Sequence, residues 1–390
     1  MSERCAMRRR YAFYEFFAGG GMARLGLGEL WSCLFVNEWC PRKAAAYQSY
    51  FGADPAPLVK DVATVTLEEI PGAADLAWAS FPCQDLSLAG QGAGLAGARS
   101  GTFRPFWNLI RGLKAQGRAP RVVVLENVVG ALSSHGGRDF AAIMECLAAE
   151  EYTAGAVVAD AVDFLPQSRP RLFIVGIHGP VAIPSFLTGP GSHPRWHPQA
   201  LVKATRALSR KASDRWVWWQ MPDPPRRRLD LSAILEEHPP EFLWHTPEET
   251  QRLLSLMDVQ HLEKLRRAQR LRKRVVGTIY RRTRGDAETG EKRQRAEVRF
   301  DGVAGCLRTP AGGSSRQIVI IVEGDSVRTR LLSAREAARL MGVPDEYPLP
   351  ERYNEAYHLF GDGVAVPVVS WLAEHLLLPL LNAEDKVAAA

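Results

Sequence analysis

The sequence predicts an α/β protein built on a doubly wound sheet, with a second, smaller domain inserted near its end. Three observations carry this reading. Over roughly the first 180 residues, short apolar runs alternate with stretches of helical spacing. From about residue 178 that texture gives way to prolines, tryptophans and arginines, as in "RWVWWQMPDPPRRRLDL". The α/β texture then resumes at "RQIVIIVEGD", and the chain closes on a mostly apolar helix.

The elements follow in order. "YAFYEFFAG" reads as a strand running into glycines, and "ARLGLGELW" has helical spacing. "CLFVNEW" is a second strand. "PRKAAAYQSYFG" is a helix with proline near its start and glycine after its end. "DLAWASF", "RVVVLENV" and "RLFIVGI" are continuous apolar strands of the kind buried on both faces. "GRDFAAIMECLAAEEY" is an amphipathic helix between the last two. In the inserted part, "TPEETQRLLSLMDVQHLEKLRRAQRLRKR" reads as one helical stretch capped by threonine. The charged run "RVVGTIYRRTRGDAETGEKRQRAEVRF" after it reads as a hairpin. The expected division is residues 1–178, 179–315 and 316–390, the last being a return to the first domain.

Composition bounds the partners. Residues 180–310 hold 25 Lys+Arg against 15 Asp+Glu, a surplus of +10, whereas the whole chain carries +6. Residues 264–299 alone hold 14 basic residues against four acids. A basic insert in a mildly acidic frame points to a polyanion, nucleic acid above all, or to a solvated basic surface. No uninterrupted apolar run reaches membrane-span length, so a soluble protein with no membrane partner is expected. Six scattered cysteines, none in a CxxC pair, suggest a reducing cytoplasm and no metal site.

Three stretches carry chemistry. The loop "FFAGGGMARLG" lets the backbone approach a ligand at a helix N-terminus, although it lacks the GxGxxG spacing of a dinucleotide fingerprint. A dinucleotide, another nucleoside cofactor or no ligand at all remain open for it. Glu38, at the end of the second strand, is placed to accept from ribose hydroxyls, and Trp39 to stack on a purine or to pack in the core. Cys83 follows a strand directly, between Pro82 and Gln84, and precedes a glycine-rich run that reads as a lid. That setting fits a nucleophile better than a buried thiol. Glu126 ends the next strand, where a semi-buried carboxyl could stay protonated and donate to a ring nitrogen, or simply cap a surface. Arg169 and Arg171 alternate, so both forks should face one side.

In this order the motifs resemble those of the DNA (cytosine-5) methyltransferase family, over residues 11–177 and roughly 316–382. They are "FFAGGG", "NEW", Asp61 after "LVK", "FPCQ", "ENV", "QSRPR", a variable basic region, "REAARLMGVPD" and "GDGV". The resemblance implies a Rossmann-like methyltransferase sheet, with residues 179–315 as the target-recognition domain. It implies S-adenosylmethionine as cofactor and S-adenosylhomocysteine as product. Cys83 would attack C6 of a cytosine, and Glu126 would contact N3 and the exocyclic amine. Arg171 and Arg169 would hold the base, and Asn127 would order the Glu126 loop. Phe17, Gly19, Gly21, Glu38, Trp39, Asp61, Pro82, Asp362 and Val364 would line the cofactor site. Gln84, Ser87, Arg281, Arg282, Arg284, Arg293, Arg295, Ser315 and Arg316 would meet DNA. The implied partners are double-stranded DNA and, as a further candidate, a cognate restriction endonuclease. The implied setting is a monomer acting on the bacterial nucleoid in the cytoplasm.

The chain departs from the family pattern at four places: Glu15 for the usual Asp, Met22 for a glycine, Asp362 for an asparagine, and Cys306-Leu307 for Thr-Leu. Two other readings stay open. One is the same chemistry on tRNA, against which stand the long insert and the absence of a Cys-Phe-Thr signature. The other is a catalytically inactive DNA-binding relative, against which stands the presence of Cys83, Glu126 and both arginines. A nicotinamide oxidoreductase fails on the glycine spacing.

Overall fold

The computed structural model describes residues 10–82, 102–179, 183–285, 292–308 and 316–388. Cys83, Gln84, Ser87 and Ser315, and the glycine-rich run after Cys83, lie outside the described residues. The chain forms two compact units. The first comprises Met1–Asp160, Pro170–Pro224 and Val366–Ala390, the second Ala161–Arg169 and Pro225–Ala365.

The first unit is a seven-stranded sheet. Its strands are β1 (Tyr11–Phe16), β2 (Trp31–Glu38), β3 (Leu58–Val59), β4 (Leu76–Ala79), β5 (Val122–Val128), β6 (Tyr152–Asp160) and β7 (Pro170–His178), in the order β3-β2-β1-β4-β5-β7-β6. β1, β2, β3, β4 and β5 pair in parallel, and β7 runs antiparallel to both neighbours. The apolar runs of β4, β5 and β7 are buried along nearly their whole length, as expected of central strands covered on both faces. The side-chain period of two sends alternate residues of β1 to opposite faces. Phe16 packs edge-on against Phe106 of α3 (Phe103–Ala115), at a centroid distance of 5.0 Å. Glu15 turns the other way, toward α1 (Met22–Leu27) and α2 (Pro41–Phe51). α4 (Arg138–Ala149) joins α3 over the Phe16 face.

Two elements of this unit escape sequence patterning. In α3, Pro105 and Gly112 lower the helical signal. Proline is tolerated in a first turn, and a Cβ at Gly112 would come within 2.6 Å of Leu67, so close packing explains the glycine. In β6, Gly155 lies against the carbonyl of Val217, where a Cβ would stand only 2.0 Å away.

The second unit holds a four-stranded antiparallel sheet in the order β11-β10-β12-β13, with further strands β8 (Thr188–Gly189) and β9 (Trp218–Trp219) belonging to the first unit. The charged hairpin is β10 (Arg274–Gly285) and β11 (Lys292–Arg299). β12 (Ile318–Glu323) pairs with β10 and with β13 (Ser326–Leu331). The stretch "RQIVIIVEGD", read from sequence as a return to the first domain, is therefore the buried centre of the hairpin's own sheet. Residues 225–365 form one unit with it, and residues 183–224 stay with the first unit, a division different from 179–315 and 316–390. The long helical stretch is two helices, Pro247–Ser255 and Val259–Arg270. The break comes at Asp258, whose carboxylate accepts from the His261 amide at 3.0 Å and caps the second helix. Thr246 and Glu249 form the expected capping box. Ile279, Val298, Ile318, Ile320 and Val322 build a core with Leu253 and Leu265 of these helices.

By averaged composition, Tyr353–Ala383 has the length and hydropathy of a membrane span although charged and polar residues interrupt it, and 56% of its most apolar stretch is buried in the protein.

Candidate active site

Strand order reverses between β1 and β4, and ligands of doubly wound sheets bind outside the strand ends at such a point. The loops after β1, β2, β4 and β5 in the first unit carry the motifs singled out from sequence.

The loop after β1 is a run of left-handed backbone: Phe17 at φ 58°, Gly19 at 57° and Gly21 at 76°. Gly21 admits no side chain, since a Cβ would lie 2.4 Å from Phe51 and 2.7 Å from Tyr47. Gly19 faces open space, with nothing within 4 Å of its absent Cβ. Glu38, buried at the end of β2, accepts from the Gly19 amide at 2.8 Å and from the Cys40 amide at 2.9 Å. One carboxylate thus ties the glycine loop to the end of β2 and keeps a second lone pair on each oxygen for a ligand hydroxyl. Trp39 is 68% exposed, a flat ring available for stacking rather than a core residue. Asp61 is exposed and caps the turn after β3 by accepting from the Ala63 amide at 2.9 Å.

Sequence reasoning missed Asn37. It is buried, and its Nδ2 donates to the carbonyls of Leu58 (3.2 Å) and Lys60 (2.8 Å), binding the segment that leads to Asp61 onto β2. An amide in an otherwise apolar strand, directly before the acid–aromatic pair, was the available signal. Beneath the loop, Glu15 is fully buried and accepts from Tyr47 Oη at 3.2 Å; Tyr47 in turn accepts from Arg24 at 3.1 Å. Burial pushes the Glu15 carboxyl up to about 8, against the opposing hydrogen bond from Tyr47.

β4 and β5 are parallel neighbours, with Ala79 opposite Leu125, so the ends leading to Cys83 and to Glu126 lie side by side. Asn127 joins them: its Nδ2 donates to the carbonyl of Phe81 at 3.3 Å, and its Oδ1 accepts from the Val128 amide. Glu126 is buried, and Arg171 Nε of the antiparallel β7 stands 3.2 Å from its Oε1. Of the two settings open from sequence, a semi-buried carboxyl and a surface cap, the carboxyl is buried, with the Arg171 guanidinium beside one of its oxygens. Arg169 does not share this environment. The alternation across Pro170 is interrupted, because residues 161–169 leave the sheet for the second unit and β7 begins only at Pro170.

In the second unit, Arg282 lies opposite Arg295 and Arg284 opposite Arg293 on the hairpin. Arg281 lies opposite the buried Ala296, on the helix-packed face, so it parts from Arg282. Arg316 stacks over Tyr353 at 5.4 Å and donates to Asn354. Asp362 is exposed and Val364 buried in the same unit.

A model of the C-5 cytosine-specific DNA methylases matches residues 11–377. The chain belongs to this family. Among curated relatives, it is 26% identical to the Type II methyltransferase M.BsuFI of Bacillus subtilis over 97% of its length and 75% of the relative's. It is 25% identical to M.HpaII of Haemophilus parainfluenzae, over 97% and 92%. Among solved structures, S. pombe Dnmt2 methyltransferase matches with a TM-score of 0.62 at 16% identity, covering 96% of this chain and all of that one. As a DNA methylase of this family the protein is a DNA cytosine-5 methyltransferase that uses S-adenosylmethionine. The first unit's loops fit that cofactor: Gly19 leaves open space, Glu38 offers spare acceptor positions and Trp39 an exposed ring.

Proposed function

We propose that the chain methylates C5 of a cytosine flipped out of a specific duplex sequence, through a covalent bond between Cys83 Sγ and C6. The observation that carries this reading is the Glu126–Arg171 pair, 3.2 Å apart at the end of β5, tied by Asn127 to the strand end that leads into Cys83. C5 of cytosine is a poor nucleophile until another group adds at C6. The Cys83 thiolate adds there, and ring electron density moves toward N3, where Glu126 donates a carboxyl proton to take up the charge while Arg171, beside its other oxygen, holds the base. S-adenosylmethionine supplies the methyl group that C5 then takes. Loss of the C5 proton to a base and breakage of the C6–S bond restore the aromatic ring and the thiolate. The target atom is inaccessible in a stacked duplex, so the base leaves the helix before the thiol can reach it.

In this reading Phe17, Gly19, Gly21, Glu38, Trp39, Asp61, Pro82, Asp362 and Val364 hold the cofactor. The hairpin arginines, Arg316 and the residues beside Cys83 hold DNA, mostly by phosphate contacts that set register, while a few side chains read base edges. The reading includes a monomeric cytoplasmic enzyme; the Type II relatives support a cognate restriction endonuclease as its counterpart.

A Cys83→Ser variant tests the mechanism: methyl transfer should vanish while duplex binding persists. Full activity in that variant would refute the covalent route. DNA carrying 5-fluorocytosine has no C5 proton to lose and should trap the wild-type protein on DNA through Cys83. Duplex DNA and tRNA offered side by side decide the substrate, and bisulfite sequencing of DNA from expressing cells reads the target sequence.

A further inference from the structure

Gln167 and Arg169 are two of the most deeply buried polar side chains in the second unit, 0% and 1% exposed. They sit at the end of the short segment Ala161–Arg169, which lies along residues 304–307. The Ser168 amide donates to the Ala304 carbonyl at 2.9 Å, and the Ala304 amide to the Pro166 carbonyl at 2.7 Å. Gln167 Oε1 accepts from the Leu307 amide at 3.0 Å, while its Nε2 donates to the Leu340 carbonyl at 2.6 Å. Arg169 Nη1 donates to the Leu307 carbonyl at 2.9 Å and to Cys306 Sγ at 3.2 Å. Arg169 Nη2 donates to the carbonyls of Gly361 at 2.9 Å and Gly363 at 2.6 Å.

Leu307 is therefore gripped from both sides, its N–H by Gln167 and its C=O by Arg169. The same guanidinium spans the backbone on either side of Asp362 and ends one residue before Val364. A planar fork with fixed donor directions can serve the 307 carbonyl and the 361 and 363 carbonyls together; a lysine ammonium, a point charge on one stem, cannot. Both terminal nitrogens being committed to main-chain and sulfur acceptors, Arg169 has the geometry of a clamp rather than of a group waiting for a base.

We propose that Gln167 and Arg169 are positioning residues that fix the segment carrying Asp362 and Val364 for the cofactor, and that Arg169 does not touch the reacting cytosine. The inference rests on the reading of Asp362 and Val364 as cofactor contacts. It assigns the two arginines of "QSRPR" different work: Arg171 at the reacting base, Arg169 in the frame of the cofactor segment.

Steady-state kinetics on the full-length enzyme with duplex DNA separates the two roles. Arg169→Lys strands the 361 and 363 carbonyls, and should raise KM for S-adenosylmethionine by about tenfold or more while leaving kcat at saturating cofactor within about threefold. KM for DNA should stay unchanged, and Kd for S-adenosylhomocysteine, measured by calorimetry, should rise in parallel. Arg171→Lys should show the opposite split, a fall in kcat. If Arg169→Lys does not fold, Gln167→Met carries the test with a smaller rise in cofactor KM. A large fall in kcat with cofactor KM unmoved, in Arg169→Lys or Gln167→Met, would overturn the proposal. Asp362→Ala and Val364→Ala test its premise separately. If they leave cofactor KM unmoved, the cofactor role of the segment fails; if they raise it and the Gln167 and Arg169 variants do not, the positioning role fails.

Discussion

Arg171 Nε stands 3.2 Å from Glu126 Oε1, and the two side chains reach each other from antiparallel neighbours in which Val128 pairs with Arg171. The guanidinium thereby fixes where the carboxyl points before any substrate arrives. Glu126→Gln keeps the shape but loses the proton chemistry, and should lower kcat by about 10²–10³-fold with an unchanged fold, read by transfer of labelled methyl to duplex DNA. Arg171→Ala should do at least as much damage, because it also leaves Glu126 buried without this partner.

Gly21 and Gly19 separate two kinds of glycine requirement. Gly21→Ala places a methyl 2.4 Å from Phe51 at a φ of 76° and should destabilise the protein by about 1–3 kcal/mol, read as a lower Tm. Gly19→Ala meets nothing within 4 Å and bears only the left-handed penalty of about 1–2 kcal/mol. Its methyl enters the open side of the loop, so cofactor affinity should fall out of proportion to Tm. Calorimetry with S-adenosylhomocysteine beside thermal melts checks both.

Glu15 gives stability a pH signature. Its carboxyl titrates near 4.5 when unfolded and at about 8 when buried in the native protein, so the native state holds a proton that the unfolded chain has lost. The contribution is fully present below about pH 4.5 and declines as pH rises to about 8. Glu15→Gln removes the titration, and the Tm of wild type relative to this variant should fall across that window. A difference independent of pH would show that the carboxyl does not titrate there.

The opposed arginines of the hairpin bear on DNA affinity. Like charges directly across a strand pair are unfavourable by themselves; Glu297, 3.5 Å from Arg282, already offsets part of this, and a polyanion adds to that relief. If Arg282 and Arg295 each neutralise one phosphate, Arg282→Ala and Arg295→Ala should each reduce the slope of log K against log salt by about one. Arg281→Ala, on the other face, should change the slope less. Filter binding across a salt series measures all three.

Much of the first unit was legible because its strands are buried on both faces and bounded by glycine and proline. The motif residues sit at strand ends, where sequence pattern and site coincide, and Glu38, Trp39 and Glu126 stand there. What patterning could not supply was pairing. The run "RQIVIIVEGD" is as apolar as a central strand of the large sheet, and only its register with β10 assigns it to the other unit. Arg169 and Arg171 look equivalent at a spacing of two, yet the nine residues Ala161–Arg169 belong to a different unit from β7. Asn37, Gln167 and Glu15 act through buried hydrogen bonds to distant segments, and a linear pattern does not show such partners.

The brief visit of residues 161–169 to the second unit also limits how the protein can be re-engineered. Exchange of specificity between relatives is naturally attempted by transplanting one contiguous block. Here a block cut at 225 and 365 would leave behind nine host residues whose hooks, Gln167 and Arg169, were shaped for the outgoing Leu307, Leu340, Gly361 and Gly363. A chimera would therefore have to carry both pieces, or keep those four backbone positions, for the graft to seat.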